Sequence, residues 1–207
     1  MFDMTTSASV EALAVAASIL ASGAALVVIA LHMVRTDVDP LTDGVSAYAI
    51  TPFGYLYRIQ VVATGVATLT LTLALLAGGL ASGIGVVSLA LFAASRILIA
   101  RYPTDPRGTT HFSRSGRAHV LLAAITFVTM AVAAPSISGA LTTNPEWAGP
   151  TSLLTGLGWA TTILALGTFA AGTTPTTRRA FGVVERGAYV AMLAWLVLTA
   201  VAISGGV

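Results

Sequence analysis

All ten basic residues of this chain are arginines, and nine of them fall in three of the links that join six apolar segments. Arg35 and Arg58 follow the first segment, Arg101, Arg107, Arg114 and Arg117 the third, and Arg178, Arg179 and Arg186 the fifth. The N-terminus, the other two links and the C-terminus carry none. Membrane-crossing chains keep Lys and Arg on the cytoplasmic side. Six crossings put every arginine-bearing link on one side, so this pattern predicts class, segment count and orientation together. The tenth arginine, Arg96, lies inside an apolar segment.

Composition supports lipid as the solvent. Of the 207 residues, 56% are hydrophobic and 9% charged, against roughly 25% charged in soluble domains. The arginines are spread over short membrane-flanking links rather than gathered in a basic domain, which excludes nucleic acid as a partner. The absence of cysteine excludes disulfides, thiolate metal sites and a cysteine nucleophile, and the absence of lysine excludes a Schiff base. Residues 1–9 carry Asp3 and no basic residue, which does not fit a signal peptide. The first apolar run is therefore expected to be retained, with its N-terminus outside.

A spanning helix needs about 20 mostly apolar residues. Segments at 12–34, 59–80, 84–100, 118–141, 151–171 and 182–205 meet this. The predicted fold is all-α: one polytopic six-transmembrane-helix bundle in the plasma membrane, both termini outside. A tight turn is expected at Ala81, Ser82 and Gly83, and a kink or early end at Pro135. Trp147 fits an outer aromatic belt, and Phe53, Tyr55, Tyr57 and Tyr102 an inner one. Small residues such as Ser18, Ser22, Gly23, Gly156 and Gly158 serve either close packing within the bundle or a homodimer face.

The polar residues mark one face. His32, Ser46, Tyr48, Arg96, Asp105, His111, His119 and Glu185 all map to the arginine-bearing side. Arg96 lies five positions before Arg101, roughly 7 Å deeper along the helix. A charge at that depth either snorkels to the interface or finds a partner inside the bundle, and Glu185 is the expected partner. Ser113 or Ser115 is positioned to cap the fourth span. The start of that span, beside Arg114 and Arg117, suits an anion such as a lipid phosphate.

Three blocks of sequence carry a family likeness. One is Val45-Ser46-Ala47-Tyr48-Ala49 with Phe53-Gly54-Tyr55; the second is Tyr102-Pro103-Thr104-Asp105-Pro106 with Gly116 and His119; the third is Gly182-Val183-Val184-Glu185-Arg186 with Trp195. Together they resemble the prokaryotic six-span membrane proteins grouped as domain of unknown function family 998, from about residue 10 to the C-terminus. Tyr102 departs mildly from that pattern, which more often has phenylalanine. The resemblance implies the six-span architecture and marks Ser46, Tyr48, Asp105, Gly116, His119, Glu185 and Arg186. It implies no activity.

Two functional classes follow. The first is binding of a membrane lipid or amphipathic small molecule, or of a membrane partner protein, at a polar pocket on the cytoplasmic face. There Arg96, Arg117, His119, Ser46 and Tyr48 contact the ligand, while Asp105, Glu185 and Arg186 hold them in place. This reading needs no cofactor. The second is a membrane-embedded metal-dependent hydrolase, with His111, His119 and Asp105 on the ion and Glu185 as general base. His32 is a further candidate ligand, either to zinc or, with His119, to a haem iron. A small transporter ranks third, because no ionisable group lies near the bilayer midplane.

Overall fold

The computed structural model describes residues 4–106, 108–144, 149–174 and 176–205. Asp3, Arg107, Glu146 and Trp147, and with Trp147 the expected outer aromatic anchor, lie outside the described residues. The chain forms six α-helices: α1 Met4–Met33, α2 Gly54–Ala77, α3 Gly83–Ile99, α4 Arg114–Thr142, α5 Thr151–Thr173 and α6 Phe181–Ser204. Short 3₁₀ turns at Val45–Ile50 and Thr177–Ala180 lead into α2 and α6. There is no strand among the described residues. Five of these helices are long and apolar enough to cross a membrane, while α3 is apolar but 17 residues long.

Each helix packs on the next in sequence, and α6 returns to pack on α1, so the six form a closed ring. Both α2 and α4 also touch α6 across the middle. The outside of the ring is apolar: Ile19, Leu26, Ile84, Leu121, Ile163 and Val190 are between 62% and 67% exposed. Isolated exposed apolar residues are ordinary, but a full perimeter of them has only lipid as a matching solvent.

Lipid supplies no hydrophobic drive for helices to associate, so the inward faces rely on close packing and hydrogen bonds. In α1 the inward stripe is Ala14, Ala17, Ala21 and Ala24, each at most 1% exposed. Of the small residues, Gly158 packs within the bundle against Ser138 and the Ala134 carbonyl, whereas Gly23 and Gly156 have open space beside them. Between α2 and α3 the chain reverses through Gly79 and Gly83, at φ 63° and 68°. Only glycine adopts this left-handed backbone without a Cβ penalty.

Two expectations along the helices need correction. α2 begins at Gly54 rather than 59 and α4 at Arg114 rather than 118, so Arg58, Arg114 and Arg117, like Arg186 in α6, are helical residues at the arginine-bearing end and not part of a link. Tyr57, expected in the inner aromatic belt, is 1% exposed inside the bundle, whereas Tyr55 and Tyr102 are 57% and 38% exposed.

Pro135 does not end α4, which continues to Thr142. Proline lacks the N–H that would have bonded the carbonyl four residues back, that of Ala131. Thr162 of α5 takes up this orphan, its hydroxyl donating to Ala131 O at 2.8 Å and sharing the proton with Gly158 O at 3.2 Å. Three residues on, Trp195 of α6 donates its Nε1–H to Ser138 Oγ at 2.9 Å, and Ser138 in turn donates to Ala134 O at 2.7 Å. The proline segment is thus bonded to α5 beside it and to α6 across the middle. Thr162→Val is expected to destabilise the detergent-solubilised protein by about 1 kcal/mol, the worth of an interhelical hydrogen bond in a membrane protein. An unchanged midpoint in SDS titration would remove this role from Thr162.

Candidate functional site

The links after α1, α3 and α5 meet at one end of the ring and enclose a cavity of about 1080 Å³. This is large for a small-molecule site, which commonly occupies about 300–1,000 Å³. Its walls are mixed: Ile99, Val120, Ala123, Phe127, Phe169 and Phe181 supply apolar surface, and Arg96, Asp105, His119 and Glu185 supply polar groups. Arg35 and Arg178 also line it.

Arg96 occupies the wall as an interior residue, only 2% exposed. It does not snorkel outwards. Gly65 makes its position possible, because a Cβ there would stand 2.6 Å from Ile97 and 2.9 Å from Ala93 O, so α2 and α3 approach closely at this level. The guanidinium bridges two other helices. Nη1 donates to Tyr189 Oη of α6 at 2.9 Å, Nη2 donates to Gln60 Oε1 of α2 at 3.0 Å, and Cζ lies 5.1 Å from the Tyr189 ring centroid.

The expected Arg96–Glu185 hydrogen bond is not formed. Glu185 faces a different part of the chain, its Oε2 accepting from Val45 N–H at 2.6 Å, where it caps the first 3₁₀ turn. Arg96 therefore has only neutral hydrogen-bond partners. Two of its five N–H groups are used, and Nε has no acceptor among the described residues.

Gln60 heads a buried polar ladder on α2. Its Nε2 donates to Thr64 Oγ1 at 3.0 Å, and Thr64, Thr68 and Thr72 each donate to the carbonyl four residues back at 2.7–2.8 Å. The ladder satisfies every hydroxyl locally and leaves Gln60 Oε1 for Arg96.

The start of α4 is built around Asp105. Its Oδ2 accepts from Ser113 N–H at 2.8 Å and its Oδ1 from the Ser113 hydroxyl at 2.6 Å. Ser113 Oγ then accepts from Gly116 N–H at 2.9 Å, capping the helix. A Cβ on Gly116 would overlap the Asp105 carboxylate. Ser115 donates to Pro103 O at 3.0 Å, and His119 Nδ1 lies 2.7 Å from Tyr102 O. A carbonyl can only accept, so Nδ1 carries the proton, and Nε2 of a neutral His119 is an acceptor.

The third polar group joins α1 to α6. Arg186 donates from Nε to His32 Nε2 at 2.7 Å, and from Nη1 to Asp43 O at 2.7 Å and Gly182 O at 3.0 Å. His32 Nδ1 is 2.7 Å from Val28 O, which again fixes the proton on Nδ1. Tyr48, 3% exposed, stands edge-on to the His32 ring at 5.6 Å.

Of the residues singled out by sequence, the cavity gathers Ser46, Arg96, Asp105, His119 and Glu185. His111 and Arg117 are exposed outside its lining, and His32, Tyr48 and Arg186 form the separate α1–α6 junction. The four candidate metal or haem ligands do not converge, and no three His, Asp or Glu residues group together among the described residues. Asp105 is committed to Ser113, His119 to Tyr102 and His32 to Arg186, so the histidines face different partners. Sequence reasoning missed Gln60 and Tyr189. Gln60 is the sole glutamine and starts a run spaced by four, Gln60, Thr64, Thr68 and Thr72, which places all four on one helix face.

A ring of apolar helices closed around a buried arginine, with a polar cavity at the arginine-bearing end, defines an integral helical membrane protein. A family model described as protein of unknown function (DUF998) matches residues 15–202, and the chain belongs to that family. No curated protein and no solved structure matches it.

Proposed function

We propose that this membrane protein binds one amphipathic molecule in the cavity, with its anionic head at Arg96 and its apolar part along Val120, Phe127 and Phe169. The observation that carries this reading is Arg96 itself. A guanidinium only 2% exposed lines a cavity and hydrogen-bonds only neutral groups. A buried charge with no counter-charge bonded to it is costly, and an anion that bonds its unused N–H groups offsets that cost. Arg is well suited to phosphate and carboxylate because its N–H groups form a planar fork. Val120 and Phe169 are 52% and 38% exposed, so an apolar wall is available beside the polar one.

The reading includes a topology. Six spans, α3 being the short one, place both termini outside and the arginine-bearing end in the cytoplasm of a prokaryotic plasma membrane. The one-sided distribution of nine arginines supports this. A C-terminal reporter active only in the cytoplasm would refute it.

Native mass spectrometry of the purified protein tests the binding. The wild type is expected to retain a lipid or lipid-like mass, and Arg96→Ala to lose at least about tenfold in occupancy, as for a charge-assisted contact. Size-exclusion profile and helix content confirm that the variant is folded. A wild type that retains nothing overturns the reading.

A further inference from the structure

Glu185 leaves part of the same cavity unexplained. It is 5% exposed and lines the cavity that Arg96 lines. Its Oε2 is held by the Val45 N–H, but Oε1 accepts no hydrogen bond from the described residues. Unlike Arg96 Nε, Oε1 is not among the buried polar atoms sealed off without a partner, so it borders open space. Gly44 fixes where the acid stands, since a Cβ there would lie 2.5 Å from Oε2 and 3.1 Å from the Phe181 ring. A carboxylate with a free acceptor and a guanidinium with free donors therefore share one cavity without bonding each other.

Building on the anion-binding reading, we infer that the occupant is zwitterionic, with a protonated amine that donates to Glu185 Oε1 while its anionic group sits at Arg96. The two charges are held apart by their own protein partners. Tyr189 and Gln60 hold the guanidinium, and the Val45 amide holds the carboxylate. Such a preset pair complements a headgroup that carries both an ammonium and a phosphate or carboxylate. It disfavours a purely anionic headgroup, whose hydroxyls can donate to Oε1 but bring no positive charge to the carboxylate. A quaternary ammonium carries the charge but has no N–H, so it satisfies Arg96 and leaves Oε1 without a donor.

Competition among lipids of matched acyl chains tests this, read as retained mass on the full-length protein in detergent. The wild type is expected to retain phosphatidylethanolamine over both phosphatidylglycerol and phosphatidylcholine by about tenfold, the worth of one charge-assisted hydrogen bond. Glu185→Gln keeps an acceptor for the Val45 N–H and removes the charge. It should bring the preference close to one while phosphatidylglycerol is still retained. The wild-type comparison needs no variant, so a misfolded Glu185→Gln leaves the inference open to refutation.

Soluble phosphoethanolamine against glycerol phosphate, compared by thermal shift, separates the possible sources of this chemistry. A preference there as well assigns recognition to the headgroup alone, and a preference confined to the lipids assigns it to the whole lipid. Equal retention of all three lipids, or a preference that survives in Glu185→Gln, overturns the zwitterion while leaving the anion site standing. Retention of no lipid at all overturns both.

Discussion

Gly116→Ala is expected to destabilise the protein by about 2–3 kcal/mol, from the loss of a helix cap and of charge-assisted hydrogen bonds. The added methyl needs the space held by the Asp105 carboxylate. Once that carboxylate is displaced, the Ser113 N–H and hydroxyl both lose their acceptor, and Ser113 is no longer oriented to cap Gly116. The link that carries Thr104, Asp105, Pro106 and Phe112 also forms part of the cavity wall, so ligand retention should fall with stability. Asp105→Ala alone removes the same bonds without the collision and should cost about 1–2 kcal/mol. The double variant should then cost clearly less than the sum of the two, because the collision disappears with the carboxylate. Additive losses in SDS or thermal unfolding would show that the two residues do not meet.

Arg186→Ala carries the second large effect, a loss of about 2–3 kcal/mol. This side chain is the only polar tie described between the end of α1 and the start of α6, and it also holds the Asp43 carbonyl of the intervening link. Arg186→Lys should recover less than half of the loss. An ammonium keeps the charge, but a single nitrogen cannot reproduce the two nitrogens that reach His32 and the Asp43 carbonyl together. His32→Ala should cost about 1 kcal/mol, since it removes one of the three bonds. Full recovery by lysine would mean that charge, not the fork, is what the junction needs.

The number of helices and the polar end were readable because each rests on a repeated signal. Hydropathy sets the apolar segments, and the three arginine-bearing links agree with one another. Arg96 stood out as the one cation within an apolar segment. Its partners did not, because whether an arginine on α3 faces α2 or α6 depends on how the helices are rotated, which their spacing along the chain does not record. The choice of Glu185 followed charge alone, whereas Tyr189, one turn further along α6, is the residue that meets the guanidinium.

The Asp105 arrangement was hidden for a related reason. Asp105, Ser113 and Gly116 were each visible as turn or cap formers, but their joint packing depends on how the link folds back on α4. The histidines show the opposite case. Their count suggested a shared centre, and the structure assigns His32 and His119 to separate neighbours. Gln60 was missed, although its spacing of four with Thr64, Thr68 and Thr72 is a signal that could have found it.

The closure of α6 onto α1 has a consequence for biosynthesis. Helices enter the bilayer in the order in which they are made, so α1 to α5 are in place while one side of the ring is still open. During that interval Arg96 has Gln60 but lacks Tyr189, the Val45 amide lacks Glu185, and His32 lacks Arg186. All three contacts arrive with a single stretch, residues 185–189. A chain that stops short of that stretch leaves the guanidinium with one of the two hydrogen bonds it makes in the finished ring. Completion of synthesis is thereby built into the same few side chains that shape the cavity.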